Sequence, residues 1–435
     1  MQHTVGIYTL GCKVSQYESI AISEGFSSLG FKVLPFEDEC DVYVINTCTV
    51  TAESDRKCRQ VIRRAVGRGG LVFVCGCYSQ ASPEEVSKID GVHFIGGNYN
   101  KTAIPRLALD MLEGNAAAST PVCSIPDIDS CGFERMCIHS APRTRVYVKI
   151  EDGCESNCTY CIIPAARGKI RSKSPENVIS EVQGLALSGV KEVVLTGIET
   201  ASYGKDLDNI TLIDIIEKIA EIDGIERIRL GSLDPSSINE DFVLRAARTK
   251  KLAPHFHLSV QSGASSVLAR MKRKYNARQA LDKINMIKRH IPDATFTTDM
   301  MVGFPGESED EFRQSIDFSK QAGFLFMHIF PYSKRKNTPA ATYEGQISEA
   351  EKHRRVSEMS KVRDEIAKKT VSERMPVGAC VEVLFETYCD GYAVGRSANF
   401  IEIKAHSERD LHGEIHTVKI MDNQGNMCTG ELLSE

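Results

Sequence analysis

The sequence predicts an α/β protein in three parts: an N-terminal open parallel sheet, a central incomplete (βα)6 TIM-like barrel and a small C-terminal β-barrel. Short apolar runs alternate with amphipathic helical patterns from the first residues to about residue 331, the pattern of parallel strands joined by crossover helices. Two such series are separated by a stretch without periodicity. After residue 376 the texture changes to short alternating strands with Gly and Asn turns. With 435 residues, 42% of them hydrophobic, the chain can fill several cores.

In the first series, residues 4–9 (TVGIYT), 41–46 (DVYVIN), 71–75 (LVFVC) and 92–96 (VHFIG) read as short buried strands. QYESIAISEGFSSLG, SDRKCRQVIRRAVG and SPEEVSKI fit the intervening helices, with Ser54 and Ser82 as N-caps. This domain is expected over residues 1–114. Residues 115–142 lose periodicity and gather Ala, Ser and Pro, which reads as a linker. The second series spans 143–372, with strands near 145–150, 191–196, 225–231, 255–261, 294–302 and 324–331 and helices such as 176–188, 211–221 and 307–322. Six βα units suggest an incomplete barrel, with chemistry at the carboxyl ends of its strands. A long charged helical pattern over 347–375 leads into a β-barrel domain expected at 373–435.

Composition narrows the function. The N-terminus lacks a basic segment followed by an apolar one, and no segment reaches the ~18 apolar residues of a membrane span, so a cytoplasmic chain is expected. In that reducing compartment 15 cysteines are core thiols or ligands for a soft metal rather than a disulfide framework. The formal net charge of −5 excludes binding of nucleic acid by bulk charge, leaving local basic patches for any RNA contact.

EDGCESNCTYC places Cys154, Cys158 and Cys161 at C-x3-C-x2-C directly after a strand. Three thiolates on one loop can hold three irons of a [4Fe–4S] cluster and leave the fourth open. A zinc site would want a fourth Cys or His, and IIPAARGKIRSKS downstream offers none.

This spacing, with Tyr160 before the last cysteine, resembles the radical S-adenosylmethionine superfamily. The resemblance implies that the open iron chelates S-adenosylmethionine, which on reduction yields a 5′-deoxyadenosyl radical. It also implies that Gly197 to Glu199 of LTGIE contact the methionine amino group, and that the strand carrying Asp299 flanks the adenine. A strand-end glycine is otherwise simple turn chemistry.

In the first domain, Cys12 follows the first strand, Cys48 the second and Cys77 the third. Carboxyl ends of parallel strands share one edge, so these distant thiols can converge there and suit a second cluster with an open iron. The alternative is inert buried cysteine, which suffices for Cys40, Cys58, Cys75, Cys123, Cys131, Cys137, Cys380, Cys389 and Cys428. VCGCYSQ is therefore read as a core thiol, Cys75, beside a ligand, Cys77.

TLGCKVSQYES, NTCTVTAESDRKCRQ and GCYSQ, ahead of C-x3-C-x2-C, resemble the methylthiotransferase family along nearly the whole chain, with Ser15 where the family usually shows Asn. The resemblance implies an N-terminal cluster domain, a radical S-adenosylmethionine domain and a C-terminal TRAM domain of OB-like shape. It implies two [4Fe–4S] clusters, S-adenosylmethionine as both methyl donor and radical source, and an electron donor such as flavodoxin or ferredoxin. Together with HIFPYSKRKNTPA, these motifs look most like the branch acting on N6-threonylcarbamoyladenosine 3′ of the tRNA anticodon. The competing readings are the isopentenyladenosine and ribosomal-protein aspartate branches and, more remotely, a noncatalytic iron–sulfur RNA-binding protein.

Basic runs agree with an RNA substrate: Arg56, Lys57, Arg59, Arg63, Arg64 and Arg68 after Cys48; Arg167, Lys169, Arg171 and Lys173 after the triad; and Lys334, Arg335 and Lys336 after the last barrel strand. Spread along a helix, such residues also suit a solvated face. The C-terminal domain is acidic in balance, so Tyr388, Tyr392 and Phe400 are its candidates for base stacking, with Phe400 equally a core aromatic.

Overall fold

A computed structural model describes residues 2–115, 121–139, 144–425 and 427–433. The N-terminal sheet contains β1 (Thr4–Thr9), β2 (Lys32–Leu34), β3 (Val42–Thr47), β4 (Leu71–Gly76), β5 (Phe94–Gly96) and β6 (Val122–Ser124), ordered β2-β1-β3-β4-β5-β6 and all parallel. Its central strands are buried on both faces, which explains their unbroken apolar runs. Three helices follow strands directly: α1 (Lys13–Ser28) after β1, α2 (Ala52–Val66) after β3 and α3 (Cys77–Ala81) after β4.

Two local expectations change. Thr51, not Ser54, caps α2, its hydroxyl accepting the Ser54 N–H at 3.1 Å, because α2 begins at Ala52. Ser82 precedes the short helix Pro83–Val86 but makes no side-chain cap bond. The stretch read as a linker is also structured where described. Residues 122–124 form the edge strand beside β5, and Met136 and Ile138 are buried in the core of the central domain. Residues 116–120 and 140–143 lie outside the described residues.

The central domain runs through β7 (Arg145–Lys149), β8 (Glu151–Asp152), β9 (Arg171–Ser172), β10 (Glu192–Thr196), β11 (Arg227–Leu230), β12 (Ser232–Leu233), β13 (His255–Gln261), β14 (Thr295–Val302) and β15 (Phe326–Pro331). Two parallel sheets, β11-β10-β7 and β12-β13-β14-β15, form the open barrel, while β8 and β9 pair separately. The break falls at Gly231, where a Cβ would stand 2.8 Å from Thr200 Oγ1 and 3.1 Å from Leu195 O. On the β7 side the N-terminal domain packs by α1: Tyr17 is buried in the barrel core, its hydroxyl within hydrogen-bond reach of Met136 O at 2.7 Å and Glu181 Oε1 at 2.8 Å.

The long helix Glu349–Arg374 joins two cores, packing Met359, Val362 and Ile366 on the barrel and Val371 on the C-terminal domain. That domain is a closed barrel, β16 (Cys380–Cys389), β17 (Tyr392–Ser397), β18 (Glu402–His406), β19 (Ile415–Asp422) and β20 (Cys428–Leu432), ordered β16-β17-β18-β20-β19. It docks on the amino ends of the central strands. Arg227 donates to Arg396 O and Glu382 O at 2.9 Å each, Arg229 to Ala398 O at 3.0 Å, and Arg145 pairs with Glu386 at 3.0 Å. Phe400 stacks on His255 with centroids 4.4 Å apart and meets the guanidinium groups of Arg145, Arg229 and Arg396 at 4.6–5.1 Å. It is therefore engaged at the domain junction. Tyr388 and Tyr392 remain exposed.

Candidate active site

The loop after β8 turns at Gly153, whose φ of +94° and contact with Lys169 O leave no room for a Cβ. Cys154 then bonds back to Gly168 O at 3.0 Å, and the loop delivers Cys154, Cys158 and Cys161 to one cavity of about 190 Å³. Tyr160, Glu199, Asp234, Gln261 and Arg273 share its lining. Donors already face the sulfurs: the Ser156 N–H to Cys154 and the Ile163 N–H to Cys161, both at 3.4 Å, and Arg273 Nη1 to Cys158 at 3.2 Å. Burial pushes the Cys154 thiol up to about 12 and Cys161 up to about 11, so both favour the neutral thiol in the absence of a bound cation.

Glu199 reaches this cavity, its Oε2 lying 3.4 Å from Cys154 Sγ. Gly197 stands behind it, where a Cβ would come within 2.9 Å of the Glu151 Cβ. Glu151 is wholly buried, accepts the Glu199 N–H at 2.8 Å and leaves Oε1 without a protein partner; burial raises its pKa well above the usual carboxylate range. Asp299 opens instead on an adjacent cavity of about 220 Å³, walled by Val50, Ile163, Met301 and Phe330. Burial opposes its ionisation, but the His257 ring, 3.2 Å away, holds the carboxyl below its ordinary value. Tyr160, Cys161 and Gln261 border both cavities.

Gln261 and Arg273 are absent from the sequence-predicted set. Gln261 has φ of +71°, sits at a register shift between β13 and β14, is buried, and leaves Oε1 unpaired. A non-glycine residue held there costs of order 1–3 kcal/mol, a strain found at functional positions. The polar QSG that ends an apolar strand is its only sequence signal. Arg273 has none, because its sulfur partner is 115 residues away.

The second triad lies on the carboxyl edge of neighbouring strands β1, β3 and β4. Cys12 is the exposed N-cap residue of α1, Cys48 follows β3, and Cys77 opens α3 and is 5% exposed. Gly11, at φ +119°, lets the first loop close on Cys48, since a Cβ would stand 3.3 Å from the Cys48 Cβ. Ser15 Oγ lies 3.9 Å from Cys12 Sγ. Cys75 is fully buried within β4, in the sheet core that contains Phe73 and Phe94. Cys58 is buried too, its thiol donating to Cys48 O at 3.2 Å.

A buried ion network faces Cys77. Arg167 is 0% exposed; its Nε donates to Cys77 Sγ at 3.2 Å and its Nη1 to Glu18 Oε1 at 2.7 Å and Asp152 at 3.2 Å. Lys149 pairs with Glu18 at 2.9 Å and Asp152 at 2.6 Å, Lys101 also pairs with Glu18, and Arg171 lies 3.6 Å from Asp152.

Both thiol sets fit iron–sulfur clusters. Among the described residues no three His, Cys, Asp or Glu side chains group as a single metal ion requires. A cluster places each thiolate on a different iron and so needs no such grouping. Cations at Cys158 and Cys77 match an anionic cluster, and the unpaired Gln261 oxygen, in the lining with the thiols, suits a ligand with N–H groups.

Of the basic runs, Arg167, Arg171 and Lys173 are buried and paired inside the protein, because the loop after Cys161 folds under the N-terminal domain; they are not an RNA-facing patch. Arg335 is likewise buried, donating to Asp55 and Thr49 at 2.6 Å each. Lys334, Lys336 and Arg63 are exposed; Arg64 covers the rings of Tyr8 and Phe36 at 5.3 and 5.1 Å.

Residues 4–97 match the family described as uncharacterized protein family UPF0004, and residues 148–319 match the radical SAM superfamily. The chain is 38% identical over 426 residues to the threonylcarbamoyladenosine tRNA methylthiotransferase MtaB of Bacillus subtilis, covering 96% of this chain and 94% of that protein. It is 36% identical to the MtaB of Aquifex aeolicus, covering 81% and 86%. A Clostridium botulinum tRNA-2-methylthio-N(6)-dimethylallyladenosine synthase is 31% identical, covering 98% and 96%. Among solved structures, the radical S-adenosylmethionine methyltransferase TsrM of Kitasatospora setae shares the fold, with a TM-score of 0.57 at 16% identity over 78% of this chain and 77% of TsrM. Two thiol triads on the expected strand ends and this near full-length likeness lead to one conclusion: the chain belongs to the methylthiotransferase family of radical S-adenosylmethionine enzymes.

Proposed function

We propose that this enzyme converts N6-threonylcarbamoyladenosine, 3′ of the tRNA anticodon, to its 2-methylthio derivative. The observation that carries the reading is the pair of thiol triads at strand ends, in a chain matching tRNA methylthiotransferases over nearly its whole length. Cys154, Cys158 and Cys161 would hold the cluster that binds S-adenosylmethionine, and Cys12, Cys48 and Cys77 the auxiliary cluster. When bound, these groups supply the radical that activates the C–H bond and the methylthio group that replaces the hydrogen.

The chain's own residues do the rest. Glu199 and the unpaired oxygen of Gln261 line the cavity and accept hydrogen bonds from the cofactor or base, while buried Glu151 holds the Glu199 backbone from behind. Asp299, held ionised by His257, faces the cavity between the Val50–Thr51 loop and Phe330, whose apolar walls exclude water from a flat base. Lys334, Lys336 and Arg63 neutralise phosphates, and exposed Tyr388 offers a stacking face farther along the RNA, as does Tyr392 on the side of its ring that Lys404, 4.0 Å from the centroid, leaves open. An electron donor such as flavodoxin or ferredoxin supplies the reducing electron, and a tRNA substrate supports a cytoplasmic location. Among the described residues no helix is long and apolar enough to cross a membrane.

Mass spectrometry of tRNA nucleosides from a deletion strain, before and after complementation, tests this. Loss and recovery of 2-methylthio-threonylcarbamoyladenosine is the expected result. Loss of the isopentenyladenosine derivative instead would refute the substrate.

A further inference from the structure

The buried ion network has an unbalanced charge. Lys101, Lys149, Arg167 and Arg171 oppose Glu18 and Asp152, and Glu134 at the edge and Glu151 near Lys149 add only carboxyls that burial makes harder to ionise. Every member except Glu134 is buried. Four cations against two carboxylates whose ionisation they favour, Glu18 and Asp152, leave a positive excess in a site closed to water, which is costly unless an anion completes it.

The group that Arg167 offers toward the missing anion is its Nε, on Cys77 Sγ. Its other nitrogens are fixed by Glu18, which lies on the helix that Cys12 caps, and by Asp152, two residues before Cys154. Asn98 ties the same assembly together, donating to Ala166 O at 2.8 Å and accepting from Lys101 at 3.1 Å. One guanidinium from the central domain thus touches the Cys77 ligand while being held by the supports of two other cysteine loops.

We propose that Arg167 is a positioning residue for the auxiliary cluster: it fixes the Cys77 thiolate by a charge-assisted hydrogen bond and raises the reduction potential of the cluster bound there. The inference rests on the two-cluster reading above. A fixed cation beside a ligand sulfur stabilises the reduced form more than the oxidised one, because reduction adds negative charge, and hydrogen bonds to sulfur act in the same sense. Arginine suits the role because it stays protonated when buried and its planar fork serves three partners at once.

The test is a potentiometric titration followed by electron paramagnetic resonance. It uses the full chain, reconstituted with iron and sulfide, in a Cys154→Ala/Cys158→Ala/Cys161→Ala background that retains only the auxiliary thiols. Arg167→Gln should lower the midpoint by at least ~59 mV, a tenfold change in the oxidised-to-reduced ratio for a one-electron couple. Arg167→Lys, which keeps the charge but not the fork, should lower it by less. Glu18→Gln, which removes a negative charge, should raise it. Iron retained in Arg167→Lys but lost in Arg167→Gln also supports the assignment. Unchanged midpoints in both Arg167 variants, shifts of the same sign in Arg167→Gln and Glu18→Gln, or loss of iron in both Arg167 variants would overturn it. A background chain that binds no cluster at all would sink the two-cluster reading with it, whereas a cluster indifferent to Arg167 sinks this inference alone.

Discussion

Replacing Arg335 by Ala should loosen the Cys48 loop rather than weaken RNA contact. Arg335 Nη1 lies 2.6 Å from Asp55 Oδ2, Nη2 donates to Thr49 Oγ1 at 2.6 Å, and Thr49 in turn donates to Asp55 Oδ1 at 2.8 Å. The two charged side chains are only 10% and 15% exposed. At that separation and an effective dielectric of ~20 the gross attraction is about 6 kcal/mol, most of which offsets desolvation. Charge-assisted bonds of this kind contribute a net ~1.5–3 kcal/mol each, so losing the latch should cost about 2–4 kcal/mol of docking energy. At 1.4 kcal/mol per decade, that is an increase of more than tenfold in the open population of residues 48–55. Hydrogen exchange over this segment reads the opening directly. A double-mutant cycle with Asp55→Ala should give a coupling above ~1 kcal/mol, measured on the exchange free energies. Additive effects in the cycle, or unchanged exchange in the segment, would refute the latch. A variant whose only defect is tRNA affinity would return Arg335 to the RNA-contact group.

Cys77→Ala should halve the iron of the reconstituted chain from about eight to about four per molecule, whereas Cys75→Ala should keep it all and cost only ~1 kcal/mol of packing in the sheet core; iron analysis with the reverse pattern would exchange their roles. Lys334→Ala and Lys336→Ala, both at exposed positions, should weaken tRNA binding and reduce its salt slope by about one each, checked by affinity measurements at several salt concentrations. Phe400→Ala removes the ring from His255 and three arginines and should destabilise docking of the C-terminal barrel by about 2–4 kcal/mol. Thermal melting should show that loss with both clusters retained; cluster loss at unchanged melting temperature would contradict the junction.

The strand and helix periods were legible because they are local: 2 and 3.6 residues are visible within one element, and parallel βα repetition constrains the sheet order. The recurrence of cysteine after β1, β3 and β4 needed only that order to place three thiols on one edge, and the C-x3-C-x2-C loop needed no tertiary information at all. For the same reason the C-x-C of Cys75 and Cys77 could be divided: one residue belongs to the strand and the next but one to the helix after it. The cap at Thr51 rather than Ser54 turned on where the helix begins, which propensity locates only within a few residues.

Charge behaved differently. Arg63, Arg167 and Arg335 are the same letter in the sequence, yet one is exposed, one donates to the Cys77 thiol and one latches two domains. Their partners lie 90 residues from Arg167 and 280 from Arg335, beyond any local pattern. The edge strand in 115–142, the strained Gln261 and the docking of Phe400 are equally products of long-range packing. The sequence by itself determined where the main strands and helices lie and that three thiols each follow a strand, because periodicity is short-range geometry and βα repetition constrains the sheet. Only the tertiary structure decided which charges are solvated and which are buried against the cysteine thiols, because that depends on what the fold stacks above them.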